Sequence, residues 1–559
     1  MLSRERIHSF IQDACAAITL ATVPSDRLRS TAPHGVKLRR SLLSSTRKMG
    51  ALVAFMRGES PRIARSAHKA ISADNRHPAA LLMMRDLTEE CLRILNKGFF
   101  EITDPGPLHQ PIRSFSIRRD EKLNLILETE AAPNATSAAI NLPPGTVRLT
   151  NERALLRSLG GLEGEFFGLV PYSQNRQTLG ATEQPLKELA QVHVAKTNNP
   201  SGAPAAYVID WLENLPMSPY VWPAASNVVT RTITTRRISL NDGITIASDT
   251  DRSSTSWNSA KVTVDGVTFY VCALDREDRP GAIKPGCIVY DGAPDDQFRK
   301  KVRIGLSFAM GVYLVDLGTS HYDAEWNVVS TLARSAYSLR RHAFDIETLQ
   351  LAPLGDRFLN ELGAPQLSKA IQAFVTAFDS LDLANLHWAF WHACAATPHI
   401  APAHFGAAIE GLQSAYTKAN PGKVQEGWAT RDEWKILKTA LSAVIDGGNI
   451  SLEAKMALKN KLPTFNGIDQ RQRLKDVMAA LNLELGDDED AAWRRRNKAA
   501  HGTPIPQGQE VAAIRDMKLL RGLFQRLLLR MTNAADQYID YASPNHEYRP
   551  LRQAPPTIG

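Results

Sequence analysis

The sequence has little cysteine: five residues in a chain of 559, and no two of them have C-x-x-C spacing. An odd number of isolated cysteines argues against a disulfide framework and a cysteine-rich zinc module, and it is typical of a reducing compartment. No apolar run approaches the roughly 20 residues that a membrane helix requires. We therefore expect a cytoplasmic protein that does not enter a membrane.

Several common catalytic signatures are also absent. The sequence contains neither the G-x-S-x-G motif of serine hydrolases nor the H-E-x-x-H motif of zinc peptidases. The glycines Gly160, Gly161 and Gly164 lack the Lys-Ser/Thr pair of a phosphate-binding loop, so they predict a turn. The function must therefore be sought outside these enzyme classes.

The chain is basic, with a formal net charge of +8. Residues 1–80 alone contain 14 Lys and Arg against 5 Asp and Glu. A basic balance favours anionic partners such as nucleic acids. The hydrophobic content of 43% is sufficient for ordinary folded cores, which excludes a wholly disordered chain.

The apolar pattern changes along the chain and predicts an α+β fold. Residues 1–121 are predicted to form an N-terminal helical, basic segment, and residues 122–345 a β-rich, sandwich-like middle domain. Residues 346–541 are predicted to form a C-terminal all-α helical bundle. A Pro-rich tail at 542–559 is expected to be loose.

The middle region carries the strand signals. Leu123–Glu130 alternates apolar and polar residues. Lys261–Leu274 predicts a hairpin, because Asp265-Gly266 separates two β-rich runs. Further strands are expected at Val228–Leu240, Cys287–Tyr290 and Val302–Leu317.

The C-terminal region carries apolar stripes at helical spacing. The predicted helices are Leu367–Ala395, Ala403–Lys418, Asp432–Val444, Leu452–Lys461, Asp469–Leu483, Glu489–His501 and Gln509–Tyr541. The last of these would close the bundle.

One segment near the C-terminus, 495–502, has residue types suited to RNA cleavage. It ends a predicted helix, and Gly502 is a typical residue just beyond a helix C-terminus. Asn497 and His501 are four residues apart, so they lie ~40° apart on one helix face. Arg496 is offset by a further ~100°.

Cleaving RNA without a metal requires a base for the 2′-OH proton, an acid for the leaving 5′ oxygen and a cation for the phosphate. His501 can act as base and acid. Arg496 offers a bidentate fork for the phosphate, while Asn497 can orient the imidazole or donate to a phosphate oxygen. This chemistry needs no cofactor. The alternative is a basic helix end that only caps the helix and meets solvent.

This segment resembles the Arg-Asn…His-Gly hallmark of HEPN nucleases. The chain over 395–541 is similar to the ApeA-like HEPN family of bacterial anti-phage defence. Phe405–Leu412 looks like that family's apolar–Glu–apolar signature and gives Glu410 a supporting role, and Gln509–Tyr541 matches its closing helix. Ala499 departs from the pattern, because many relatives have a bulky apolar residue two positions before the histidine.

The resemblance implies a metal-independent endoribonuclease that acts in abortive infection. It also implies a homodimer in which two Arg/His sets face each other. The front two-thirds of the chain would sense a phage-derived trigger and restrain the nuclease. Two alternatives stay open: a non-catalytic HEPN scaffold that binds RNA or protein, and a HEPN toxin restrained by a separate antitoxin.

Basic residues on the closing helix could follow an RNA backbone, and a solvated basic face would explain them equally well. Those named as RNA-binding candidates are Arg515, Lys518 and Arg521, with Arg526 and Arg530 farther along the same helix.

Three further patterns have both a functional and a structural interpretation. The first comprises His387, His392, Cys394, His399 and His404, which could bind zinc but lack known finger spacing and lie among aromatic core residues. The acidic run Asp487–Asp490 could bind a metal, yet it suits the N-terminus of a helix. A second Arg-x-x-x-x-His pair, Arg29 and His34, includes Pro33 in a loop-like stretch and predicts no site. We assign no metal site.

Overall fold

The computed structural model describes residues 89–136, 151–216, 228–336, 352–354 and 363–557, with shorter gaps inside the second, third and last of these ranges. All of them belong to one unit, Met84–Gly559. Most of the predicted N-terminal helical segment, including the pair Arg29 and His34, lies outside the described residues.

The described chain is mixed α+β, as the sequence predicts. Its helices are α1 (Glu90–Lys97), α2 (Asp296–Met310), α3 (Ala364–Thr376), α4 (Leu383–Ala395), α5 (Ala401–Ala419), α6 (Arg431–Gly447), α7 (Leu452–Phe465), α8 (Gln470–Ala480), α9 (Asp487–Ala500) and α10 (Glu510–Thr532). The helices from α3 onward form the C-terminal helical region.

The strands precede or flank these helices. They are β1 (Phe100–Asp104), β2 (Gln110–Arg119), β3 (Leu125–Thr136), β4 (Arg153–Ser158), β5 (Glu163–Phe167), β6 (Val170–Asn175), β7 (Thr178–Leu179), β8 (Thr182–Glu183), β9 (Leu186–Val192), β10 (Val194–Asn198), β11 (Tyr207–Pro216), β12 (Val228–Ser239), β13 (Thr245–Ser256), β14 (Ser259–Val264), β15 (Val267–Ala273), β16 (Ile283–Asp291), β17 (Asp316–Tyr322), β18 (Val328–Arg334), β19 (Gln537–Asp540) and β20 (Glu547–Pro550).

Two antiparallel sheets dominate the β region. The larger has the strand order β1-β4-β5-β10-β18-β17-β11-β16-β15-β14, and the smaller has the order β2-β3-β9-β6. The predicted hairpin at Asp265-Gly266 is confirmed, since Val264 of β14 pairs with Val267 of β15. The predicted turn near Gly160 joins β4 to β5, although Gly164 itself lies within β5.

One half of the large sheet packs against the smaller sheet. Their shared core contains Leu125 and Leu127 of β3, Leu156 of β4 and Phe166 of β5. Helix α1 contributes Leu95 to the same core. This half is therefore sandwich-like, and β1 and β2 are the outermost strands of its two sheets.

The N-terminal region becomes β-structure earlier than the sequence indicated. Within 1–121, the described residues form one short helix, α1, and then β1 and β2. The β2 sequence, QPIRSFSIRR, is largely exposed along its length. An edge strand with so few buried positions lacks a clear alternation of apolar and polar residues. For this reason the sequence predicted helix where β1 and β2 form.

The predicted strand at Val302–Leu317 is wrong over most of its length, because Asp296–Met310 is helix α2. The Asp295 side chain accepts a hydrogen bond from the Phe298 N–H at 2.7 Å and caps the start, and Gly311 ends the helix with φ 66°. Nearly every residue from Ile304 to Met310 is buried. A helical segment that is buried on all sides, as this second half of α2 is, shows no one-sided period.

Helix α2 joins the β region to the helical region through one hydrophobic core. That core includes Val208 of β11, Phe308 of α2, Phe374 of α3 and Phe524 of α10. The predicted boundary at 345/346 lies outside the described residues. The two regions share a core, so they are not separate globules.

The C-terminus differs from the sequence prediction in two ways. Helix α10 ends at Thr532, where Asn533 adopts φ 57°, and β19 follows instead of a helix to Tyr541. The tail at 542–559 is not loose over its described part, since β20 pairs with β19 and Leu551 is buried. The long-range contacts that order this tail have no local sequence signal.

Helices α6 and α7 form a hairpin that exposes much apolar surface. No residue of α6 is buried, and Leu462 is the one buried residue of α7. The exposed apolar side chains of this hairpin include Ile436, Leu437, Val444, Leu452 and Met456. None of the helices in the described ranges is long and apolar enough to cross a membrane.

Candidate functional site

Helix α9 carries the segment that the sequence analysis singled out. Its first turn is acidic, and the Glu489 carboxylate accepts a hydrogen bond from the Gly486 N–H at 3.0 Å. The helix ends at Ala500, and Gly502 has φ 68°. The prediction of a helix that ends at His501-Gly502 is confirmed.

Asn497 and His501 are exposed at the end of α9. The His501 N–H donates to the Asn497 carbonyl at 3.0 Å, so the two residues are one turn apart on the same face. Within the described ranges, neither side chain makes a hydrogen bond. Both are therefore available to a ligand that approaches this end of the helix.

Arg496 lies on another face of α9 and is only 7% exposed. Its guanidinium stacks on the Trp493 ring, with 3.4 Å between the guanidinium carbon and the ring centroid. Nη1 donates to the Trp493 carbonyl at 2.8 Å, and Nη2 donates to the Glu410 carboxylate. The supporting residue predicted from the sequence, Glu410, is thus the ion-pair partner of Arg496.

A glycine on α5 makes room for this arginine. A Cβ added at Gly406 would lie 2.6 Å from Cδ of Arg496, closer than such atoms approach each other. Gly406 and Glu410 are one helical turn apart on the same face of α5. The aliphatic part of the Arg496 side chain packs against Gly406, and its guanidinium pairs with the Glu410 carboxylate. The arginine is therefore held by packing as well as by charge.

Three ion pairs fix α9 against α10. Arg495 makes a bidentate pair with Asp516, at 2.7 Å from Nε and 2.6 Å from Nη2. At the other end of α9, the carboxylate of Asp488 accepts from Arg515. Next to Asp488 in the same first turn, Glu489 accepts hydrogen bonds at 2.7 and 2.8 Å from the fully buried Arg526, farther along α10. Burial raises the pKa of Glu489, and Arg526 opposes this.

The closing helix does not present a continuous basic face. Arg515 is paired with Asp488, and Arg521 is 8% exposed with its guanidinium carbon 5.9 Å from the centroid of the Tyr541 ring. Lys518 is half-buried. Since Arg521 points into the protein, the three predicted RNA-binding residues do not form one exposed strip.

The histidine cluster does not come together as one set: His387 lies in the core, whereas His399 and His404 are exposed. The His387 ring stacks on Tyr313 at 5.3 Å and packs against Phe308 and Trp391. Burial lowers its pKa to about 3, and the charge of Lys300 adds to this. Among the described residues, no three His, Cys, Asp or Glu side chains are placed to hold a metal ion.

Two residues of the site, Gly406 and Trp493, were not predicted from the sequence. Gly406 precedes Glu410 by four residues, and Trp493 precedes Arg496 by three, so each shares a helix face with the residue it supports. These spacings are present in the sequence. Their meaning depends on which helix packs against which, and that is visible only in the fold.

No family model, curated protein or solved structure matches this chain. The resemblance to HEPN nucleases therefore depends on the residues at 405–412 and 496–502, together with the order of the helices around them.

Proposed function

We propose that this chain is a metal-independent endoribonuclease of the HEPN type, active in anti-phage defence, with its site at the end of α9. The observation that carries the proposal is the pair Asn497 and His501, exposed one turn apart on the helix whose other face carries an arginine held in place by Glu410. An exposed imidazole, an amide and a guanidinium at one helix end supply the groups that the reaction needs.

The reaction is an internal transfer at phosphorus. His501 takes the proton of the ribose 2′-OH, and the 2′ oxygen attacks the neighbouring phosphate. The bond from phosphorus to the 5′ oxygen breaks, and the leaving oxygen takes a proton from a protonated imidazole. The products are a 2′,3′-cyclic phosphate and a 5′-hydroxyl.

Arg496 can bind the phosphate only by exchanging partners. Its guanidinium is engaged by Glu410, whose side chain is about one-third exposed (36%). We propose that the RNA phosphate displaces the Glu410 carboxylate, since both groups accept from the same fork. In the absence of RNA, Glu410 keeps the buried cation neutralised.

A homodimer would complete the site. Arg496 and His501 lie ~140° apart around α9, so one helix does not readily direct both to one phosphate. Two α9 helices across a two-fold axis can pair the histidine of one copy with the arginine of the other. The start of α10 exposes Val511 and Ile514 next to the motif in the chain, and such an interface would cover them.

A non-catalytic scaffold is the second candidate, and the burial of Arg496 favours it. An arginine already satisfied by Glu410 and the Trp493 carbonyl can serve the fold alone. In that case, the exposed end of α9 would bind RNA or protein without cleaving it. A toxin restrained by an antitoxin would share the nuclease chemistry and differ in its partner.

Incubation of purified protein with total RNA in EDTA tests the proposal. We expect cleavage to continue, with 2′,3′-cyclic phosphate and 5′-hydroxyl ends, because His501 and Arg496 supply proton transfer and charge stabilisation themselves. Binding without cleavage would favour the scaffold. Products with 5′-phosphate ends and a strict Mg²⁺ requirement would contradict the proposed mechanism.

A further inference from the structure

A groove of about 890 Å³ lies at the open side of the sandwich, far along the chain from α9. Its walls are β1 and the first half of β2, and the end of α1 contributes Leu95 to Lys97. Each of these strands is the outermost strand of its sheet in the described part of the chain. The groove is thus bordered by two sheet edges.

The backbone of β1 directs hydrogen-bonding groups away from its own sheet. Ser158 of β4 pairs with Phe100, but the Ser158 N–H donates to Leu162 and its carbonyl accepts from Gly161, both on the other side of β4. Phe100 therefore faces outward with its N–H and C=O. By alternation, so does Ile102.

The edge of β2 shows how such groups are satisfied where a partner is present. The Asn96 side-chain amide donates to the Ile117 carbonyl at 2.8 Å, and its oxygen accepts from the Ile117 N–H at 2.9 Å. This pair of bonds imitates an added strand. Two residues earlier, the backbone of Phe115 has the same outward orientation and lines the groove. Among the described residues, no side chain pairs with the Phe115 backbone as Asn96 does with Ile117.

The groove also has an apolar floor. Ile102, Ile112 and Phe115 line it and pack against the sandwich core. Phe99 stands at its end, 81% exposed and with φ 49°, a conformation that bulky residues rarely adopt. Side chains of alternating residues on an extended strand would fall on this floor.

We propose that the groove binds an extended peptide segment of another protein, which adds as a strand to β1. The peptide backbone pairs with Phe100 and Ile102, and its alternate apolar side chains cover Phe99 and the floor. A folded helix would leave the outward N–H and C=O groups of β1 unmatched, because its own backbone groups are paired internally. This binding site is independent of the proposed nuclease chemistry.

Selection of a displayed library of random 12-residue peptides against the full chain tests this proposal. We expect enrichment of sequences with β-branched or aromatic residues at alternate positions. Peptides synthesised with N-methyl groups on the residues facing β1 should lose at least tenfold in affinity, because those groups remove the pairing N–H donors. Hydrogen–deuterium exchange should slow in fragments that cover β1.

Two exposed side chains provide a matched pair of variants. Phe99→Ala should weaken binding of the selected peptides several-fold, whereas Leu159→Ala, in the β4–β5 turn outside the groove, should not. Both residues are more than 80% exposed, so neither change should unfold the protein. Three results would overturn the proposal. The selection enriches no peptide, the N-methylated peptides bind as tightly as the unmodified ones, or the groove binds a 12-nucleotide single-stranded RNA instead of the peptides.

Discussion

At the scale of single residues, the central contact is the ion pair between Arg496 and Glu410. If a phosphate displaces Glu410, Glu410→Gln should increase RNA affinity several-fold, because the phosphate then no longer competes with a carboxylate for the Arg496 guanidinium. The same change should lower the free energy of unfolding by about 1.5–3 kcal/mol, the range for a hydrogen bond to a charged group. Fluorescence anisotropy with labelled RNA and denaturant titration measure the two effects.

Arg496→Lys is the companion variant. An ammonium cannot reproduce the bidentate fork or the stacking on Trp493, so cleavage should fall roughly tenfold or more.

If Glu410→Gln weakens RNA binding instead, the carboxylate acts only in the fold and the proposed exchange of partners at Arg496 is wrong.

The buried His387 predicts a pH dependence of stability. Its pKa is lowered to about 3 in the folded protein, against an ordinary value near 6.5, so the unfolded chain binds the extra proton between these values. Stability should therefore fall as the pH drops below about 6.5, by at most about 1.4 kcal/mol per pH unit from this residue. His387→Phe keeps the ring in its aromatic surroundings and should flatten the acid side of the profile.

Denaturant unfolding of the His387→Phe variant from pH 4.5 to 7.5 measures this effect against the parent protein. His399→Phe, at an exposed position, is the control and should leave the profile unchanged. An identical slope in the His387→Phe variant and the parent would show that the histidine is not excluded from protonation in the fold.

At the scale of elements, α5 and α9 meet through Gly406. Alanine normally stabilises a helix interior by up to about 1 kcal/mol relative to glycine. At Gly406 the added Cβ must displace Arg496, so Gly406→Ala should lower the melting temperature and reduce cleavage together. Gly522→Ala in α10 is the matched control, because nothing lies within 4 Å of its Cβ, and it should be neutral or stabilising. If the two variants have the same melting temperature in calorimetry and the same cleavage rate, Gly406 is not needed to make room for Arg496.

Local signals in the sequence account for much of the element list. Asp265-Gly266 indicates its hairpin, and the acidic first turn and Gly502 delimit α9. Helix α2 was missed because its second half is buried on all sides and therefore looks like a core strand. The β1 and β2 edges were missed for the opposite reason, since too few of their residues are buried to show a period.

The orientation of helix faces could not be predicted from the sequence. Arg521 and Arg526 have the spacing of a basic face, yet both are buried, and Arg526 pairs with Glu489, 37 residues earlier. Likewise, the position of Arg496 against Glu410 spans 86 residues. Such pairings depend on which helices pack against each other, and local sequence patterns do not predict this.

For the molecule as a whole, the proposed reaction requires a site that two copies of the chain share. Arg496→Ala and His501→Ala proteins should each be inactive, and mixing them should restore part of the activity, because one composite site then keeps both residues. Light scattering should show a dimer at the concentration of the assay. A fully active protein that stays monomeric, or mixtures that remain as inactive as their components, would contradict the shared site.

The most direct test of the central claim compares the parent protein with His501→Ala on the same RNA in EDTA, in preparations free of other nucleases. His501 is exposed, so the melting temperature should barely change, while cleavage should fall by ~10²–10⁴. His399→Ala, likewise exposed, and the sequence-matched pair Arg29→Ala and His34→Ala should cleave normally and give 2′,3′-cyclic phosphate ends. Cleavage by His501→Ala at the parent rate would contradict the account.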